Sequence, residues 1–172
     1  MDSTEKIEIE DYVDVEKRAM ALDCNVPTGL AILPRNFGTA AAKNALLHED
    51  TAPTVRALLA ERGITETRLE RDAEHFQYIH ENSYEWVGPT VLIGSAVFSQ
   101  YPHVISITLS LIANYLTDFF KGRVGDRIAK LSVVVPEPNS RRFTKITYEG
   151  SIEGIPGLEK IIREVRRGRR RK

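Results

Sequence analysis

The stretch that most constrains this chain is 87–121, where an apolar strand pattern runs straight into a nearly all-apolar helix pattern. Val87, Gly88 and Pro89 read as a turn. Thr90 to Phe98 (TVLIGSAVF) is then apolar on both alternating rows, as a strand is when it is covered on both faces within a parallel or mixed sheet. Pro102 suits the first position of a helix, because its missing N–H would have had no intrahelical partner, and Gly122 suits the left-handed residue that ends one. A helix is therefore expected over 102–121. Its polar residues His103, Ser106, Ser110, Asn114, Thr117 and Lys121 trace one narrow stripe, so most of its circumference is expected to be buried.

A membrane span is the competing explanation for so apolar a helix, and length decides against it. The run from Val104 to Leu116 is interrupted by Ser, Thr and Asn and followed by Asp118 and Lys121, well short of the roughly 20 apolar residues that a span needs.

Around this centre the chain divides into short elements. Residues 1–10 read as an extended edge or a frayed end, and Tyr12, Val15, Ala19 and Leu22 follow helical spacing over Asp11–Asp23. Leu30 to Leu33 is a short apolar strand stopped by Pro34. Thr39 is a plausible N-cap for an Ala-rich helix through Leu47, and a second helix follows, with Pro53 in its first turn and Gly63 as its stop. Thr65 to Leu69 alternates weakly, as an edge strand would, and 70–86 is expected to be a long surface loop.

Ile128 to Val135 alternates cleanly, 136–142 reads as a loop, and Phe143 to Glu149 returns as a strand, which makes a hairpin. Leu158, Ile161, Ile162 and Val165 mark the stripe of a last helix. The expected fold is α/β with an α+β tendency: a single mixed β-sheet with a central βαβ unit, a C-terminal antiparallel hairpin strand and packed helices. One domain over 1–165 and a basic tail over 166–172 account for the whole length.

Composition matters chiefly through charge. The net charge is zero, but 163–172 (REVRRGRRRK) carries seven basic groups and one acid, so a +6 end balances a −6 remainder. Residues 2–16 hold seven acids against Lys6 alone. A 42% hydrophobic and 28% charged chain has enough apolar material for a core, which argues against wholesale disorder. Cys24 is the only cysteine, so neither an internal disulfide nor a CxxC redox pair is open to the chain. The acidic N-terminus lacks an apolar signal region, and a soluble, cytoplasmic protein without a membrane contact is expected.

Two candidate sites follow. At Pro34–Thr39 a strand end passes through Arg35 and Asn36 to an expected helix start, where free N–H groups and the helix dipole favour an anion such as a phosphorylated small molecule. Arg35, Asn36 and Thr39 are the residues concerned, and one glycine without Gly-Lys-Ser/Thr is no Walker motif. The plainer explanation, that Thr39 merely caps and Arg35 pairs with an acid, weighs more. The second site is the tail: Arg163, Arg166, Arg167, Arg169, Arg170, Arg171 and Lys172 suit a polyanion, nucleic acid first and an acidic protein surface next, with mere solvation as the ordinary alternative.

Catalytic machinery is not visible. His75 and His80 lie five apart, off the spacing of an HExxH pair, and with Glu81 and Glu85 they form no metal signature; His48 and His103 are scattered. Ser95 and Ser99 in GSAVFS do not match the GxSxG elbow, and Cys24 has no activating partner in sequence. Tyr84 and Trp86 read as cover for a sheet edge. The stripe Ser106, Ser110, Asn114 permits close approach of another helix, an internal one before a second subunit. No cofactor and no metal ligand set is implied. The leading expectation is a non-catalytic binding or assembly protein that engages a polyanion through its C-terminal arginines, with a protein partner or second copy on helix 102–121 or a sheet edge. The alternative is a small enzyme or sensor that binds an anion around Arg35–Thr39.

Overall fold

The structure is a computed structural model and describes residues 5–80, 85–123, 125 and 127–168. Its frame is a five-stranded mixed sheet built from β1 (Lys6–Tyr12), β2 (Leu30–Leu33), β5 (Trp86–Ile93), β6 (Ile128–Pro136) and β7 (Phe143–Ser151), in the order β1-β7-β6-β5-β2. Only β5 and β6 run parallel; β6–β7, β1–β7 and β2–β5 are antiparallel. The expected βαβ unit and hairpin are therefore present. A small parallel pair, β3 (Leu47–Glu49) with β4 (Gln77–Ile79), stands apart from this sheet.

The crossover from β5 to β6 departs from expectation at its start. The strand ends at Ile93, and Ser95–Gln100 forms a short helix, α3, ahead of α4 (His103–Phe119). The cause is local. The Gly94 and Ala96 amides donate to the carbonyls of Gly29 and Thr28, which turns the chain out of the ladder, and Gly94 has no Cβ to strike Thr28. At its far end α4 stops before Gly122, whose φ of 77° is left-handed.

Strand alternation sorts the core into two layers. Ile32, Val91, Leu131, Val133 and Ile146 face one side, where α4, α2 (Ala52–Glu61) and α5 (Leu158–Arg166) bury them together with Trp86. Ala31, Leu33, Leu92 and Val134 face the other, under α1 (Val15–Ala21), Phe37 and Leu46. That second cover is partial: Lys130, Lys145 and Glu149 reach an open groove beyond it.

Several expected elements are corrected. Asp11 and Tyr12 belong to the edge strand β1, and α1 begins only after Asp14, which accepts the Lys17 amide at 3.1 Å. The Ala-rich segment after Thr39 is not a helix but turns, a single 3-10 turn (Lys43–Ala45) and β3. Asn36 sets this path, since its amide donates to the Ala45 carbonyl and its side-chain oxygen accepts the Leu47 amide. Residues 65–69 form no strand; the Thr67 amide donates to Leu30 instead. The segment read as a surface loop over 70–86 holds β4 and the start of β5, and Glu70, Phe76 and Trp86 within it are buried. Among the described residues no helix is long and apolar enough to cross a membrane.

Candidate functional site

A group of basic side chains is assembled at one end of the sheet. The amphipathic face of α5 (Leu158, Ile162, Val165) is buried against the sheet, which carries its C-terminus to the end of β6. There Arg166 donates to the Pro136 carbonyl at 3.0 Å and stacks over the Phe98 ring at 5.2 Å from its centroid. Burial lowers its pKa, in keeping with a guanidinium drawn into the fold. Pro136 opens the β6–β7 loop, so exposed Arg141 and Arg142 come to the end where α5 terminates and Arg167 is exposed. Gly168, at φ 78°, then turns the chain out of the helix.

The tail arginines thus divide. Arg163 is held by Glu159 at 2.8 Å and by the Pro102 carbonyl at 3.1 Å, so it, like Arg166, ties the chain to its own domain. The side chains of Arg141, Arg142 and Arg167 have no hydrogen bond or ion pair among the described residues. Arg169, Arg170, Arg171 and Lys172 lie outside the described residues. Arg141 and Arg142 escape sequence reasoning because a hairpin loop and a C-terminal helix need not meet; the one hint was the pair of adjacent arginines in a loop.

Around Pro34 the geometry is that of a structural turn. Arg35 makes a two-pronged contact with Glu49 at 2.5 and 2.7 Å, both Asn36 side-chain groups hold backbone, and the Thr39 hydroxyl points back to the Asn36 carbonyl at 3.5 Å. With no helix beginning at Thr39, the dipole and the free N–H groups that favoured an anion are missing.

The acidic and histidine-bearing segments come together inside the fold instead. His48 is fully buried between β4 and α2, with Phe76 and Tyr78 against its ring. Its Nε2 lies 3.3 Å from Glu70, which also meets Arg56 at 3.3 Å, while the Arg56 Nε is 2.9 Å from Glu66 without directing its N–H there. Burial alone would raise Glu70, but the His48 hydrogen bond and the charges of Arg56 and His48 prevail and hold it at about 2. Glu66, with one oxygen unpartnered, is pushed up by the same burial. The signal was present in sequence: Arg56 shares the apolar face of α2 with Ala52, Val55 and Leu59, and a charge there must find a buried partner.

The remaining candidates stay apart. His75, His80 and His103 are exposed at separate places, and Glu81 and Tyr84 lie outside the described residues. Ser95 begins α3, and the Ser99 hydroxyl bonds the carbonyls of Ser95 and Ala96. Cys24 is buried, which pushes its thiol up and away from the reactive thiolate. Among the described residues no group of three His, Cys, Asp or Glu is placed to hold a metal ion. Trp86 is a core residue, 6.5 Å from the Tyr115 ring. The α4 stripe faces outward at Ser110 and Asn114, so it is not the internal helix contact that its small residues suggested.

Fold and surface together define a mixed α/β domain with an arginine-rich end. No family model matches the chain, and no curated protein or solved structure does.

Proposed function

We propose that the chain is a non-catalytic binding protein that engages a polyanion, nucleic acid first, through the basic end formed by the β6–β7 loop, the end of α5 and the residues after it. The observation that carries this is the Arg166–Pro136 contact, which sets the root of the tail beside Arg141 and Arg142 and so joins two sequence-distant sets of arginines. In this reading Arg163 and Arg166 are anchors, and phosphates are met by Arg141, Arg142, Arg167 and the tail beyond Gly168. A cytoplasmic setting accompanies it, with nucleic acid at hand. An acidic body suits such a module, because its own charge keeps the polyanion from wrapping the remaining surface.

Fluorescence anisotropy with a labelled duplex DNA and an RNA of equal length, over about 50 to 300 mM salt, tests it. Affinity is expected to fall steeply and linearly on a log–log plot. Each phosphate-contacting charge removed should reduce the slope by about one, so Arg141→Ala/Arg142→Ala and a chain ending at Gly168 should each flatten it. Absence of binding to both nucleic acids at the lowest salt overturns the nucleic-acid reading and leaves an acidic protein surface as the partner.

A further inference from the structure

A cleft of about 460 Å³ opens at the carboxyl end of β5, between the end of α2 and the corner where α3 meets α4. That volume falls in the range of small-molecule sites, and the position is the one at which open α/β sheets hold ligands, beyond the end of a parallel strand. It arises because the chain turns sharply at Gly94, locked onto Thr28 and Gly29, so α3 leaves the sheet at an angle and a gap remains.

The walls of this cleft are apolar, from Leu30, Val97, Val104 and Ile107, and its rim carries Arg62 and His103. Among the described residues no carboxylate lines it. By contrast, the clefts over the open sheet face and beside Trp86 include Glu49 and Glu85, and the shallow one along α5 includes Glu159 and Glu164. In a body that is acidic away from its tail, a cleft with a guanidinium and no acid among its described lining residues favours a negative guest.

Arg62 supplies the second observation. Arg18, Arg35, Arg56, Arg163 and Arg166 each spend their guanidinium on a carbonyl or carboxylate of this chain. The Arg62 side chain has no such partner among the described residues. It stands where this cleft meets a shallower groove beside Ser110 and Asn114. A cation at the end of α2 already complements the helix dipole, but a guanidinium overhanging an apolar hollow also offers a forked donor to an entering carboxylate.

We propose that this cleft binds a small amphipathic carboxylate, its apolar body against Val97, Val104 and Ile107 and its head group on Arg62, with His103 beside it. The cleft is lined by none of Arg141, Arg142, Arg163, Arg166 and Arg167, although α3 stands beside both places, and the proposal does not depend on the nucleic-acid reading.

Calorimetric titration of the full chain with decanoate, 2-naphthoate and the neutral 1-decanol tests the proposal. At least one of the two carboxylates is expected to bind saturably at one site per chain, with decanol at least about tenfold weaker than decanoate if decanoate is the ligand taken. Arg62→Gln should weaken the bound carboxylate by about tenfold or more, and Ile107→Trp should block it by filling the cleft, while Arg141→Ala should leave it unchanged. Arg62 is exposed and Ile107 partly so, and circular dichroism of each variant confirms that the fold is kept. The proposal is overturned by the absence of saturable binding with both carboxylates, by unchanged affinity in Arg62→Gln, or by decanol binding as tightly as a bound decanoate.

Discussion

Four ionisable side chains, His48, Arg56, Glu66 and Glu70, are packed beneath β4 where an apolar core would serve as well. Removing one member of such a set strands the others without water. Arg56→Met is therefore expected to cost about 3 to 5 kcal/mol in urea denaturation, whereas Arg56→Met combined with Glu66→Gln and Glu70→Leu should recover part of that loss, because no buried carboxylate is then left unpaired. The same cluster sets an acid dependence. Glu70 is depressed to about 2, so its contribution is fully present above the ordinary carboxylate range and is lost as pH falls from there toward 2. The raised Glu66 acts in the opposite sense and shallows the slope. Urea midpoints taken from neutral pH to pH 2.5 should fall with acid in the wild type and fall less in Glu70→Gln; parallel curves would remove Glu70 from the account.

At the scale of elements, the strands with plain alternation were legible. β2 begins and ends where its apolar run does, and β6, β7 and their loop follow their period of two. What was not legible depends on distant partners. The GSAVF segment has strand composition, yet the carbonyls of Thr28 and Gly29 capture its amides and bend it into α3. The segment TAAAKNALL has helix propensity, yet Asn36 ties its end and Arg18 takes the carbonyls of Phe37 and Ala40, so tertiary contacts outweigh a weak local preference. The basic end was half visible: the tail as a charge run, its hairpin-loop half not at all. The turn at Gly94 is testable by itself. A methyl group there would overlap the Thr28 carbonyl, which is backbone and cannot step aside, so Gly94→Ala should lower stability by several kcal/mol in thermal or urea unfolding, at the upper end of single-residue effects. A near-neutral result would mean that the β5–α3 corner is looser than these contacts imply.

Across the whole molecule, the sheet presents two unlike margins. β2 is only four residues long and is flanked by the segment that places the Thr67 amide on Leu30, whereas β1 runs seven residues with no strand on its outer side among the described residues. Glu8 and Glu10 alternate along that outer strand, opposite Thr147 and Lys145 of β7. Two such margins brought together would set glutamate against glutamate, so the strand resists being extended by a second sheet. Replacing both by threonine keeps strand propensity and removes the repulsion; light scattering at neutral pH is expected to show faster aggregation than wild type, and equal scattering would assign the protection elsewhere. The acidity of the N-terminal strand thus acts as a selvage, keeping a half-finished sheet from being knitted onto its neighbour.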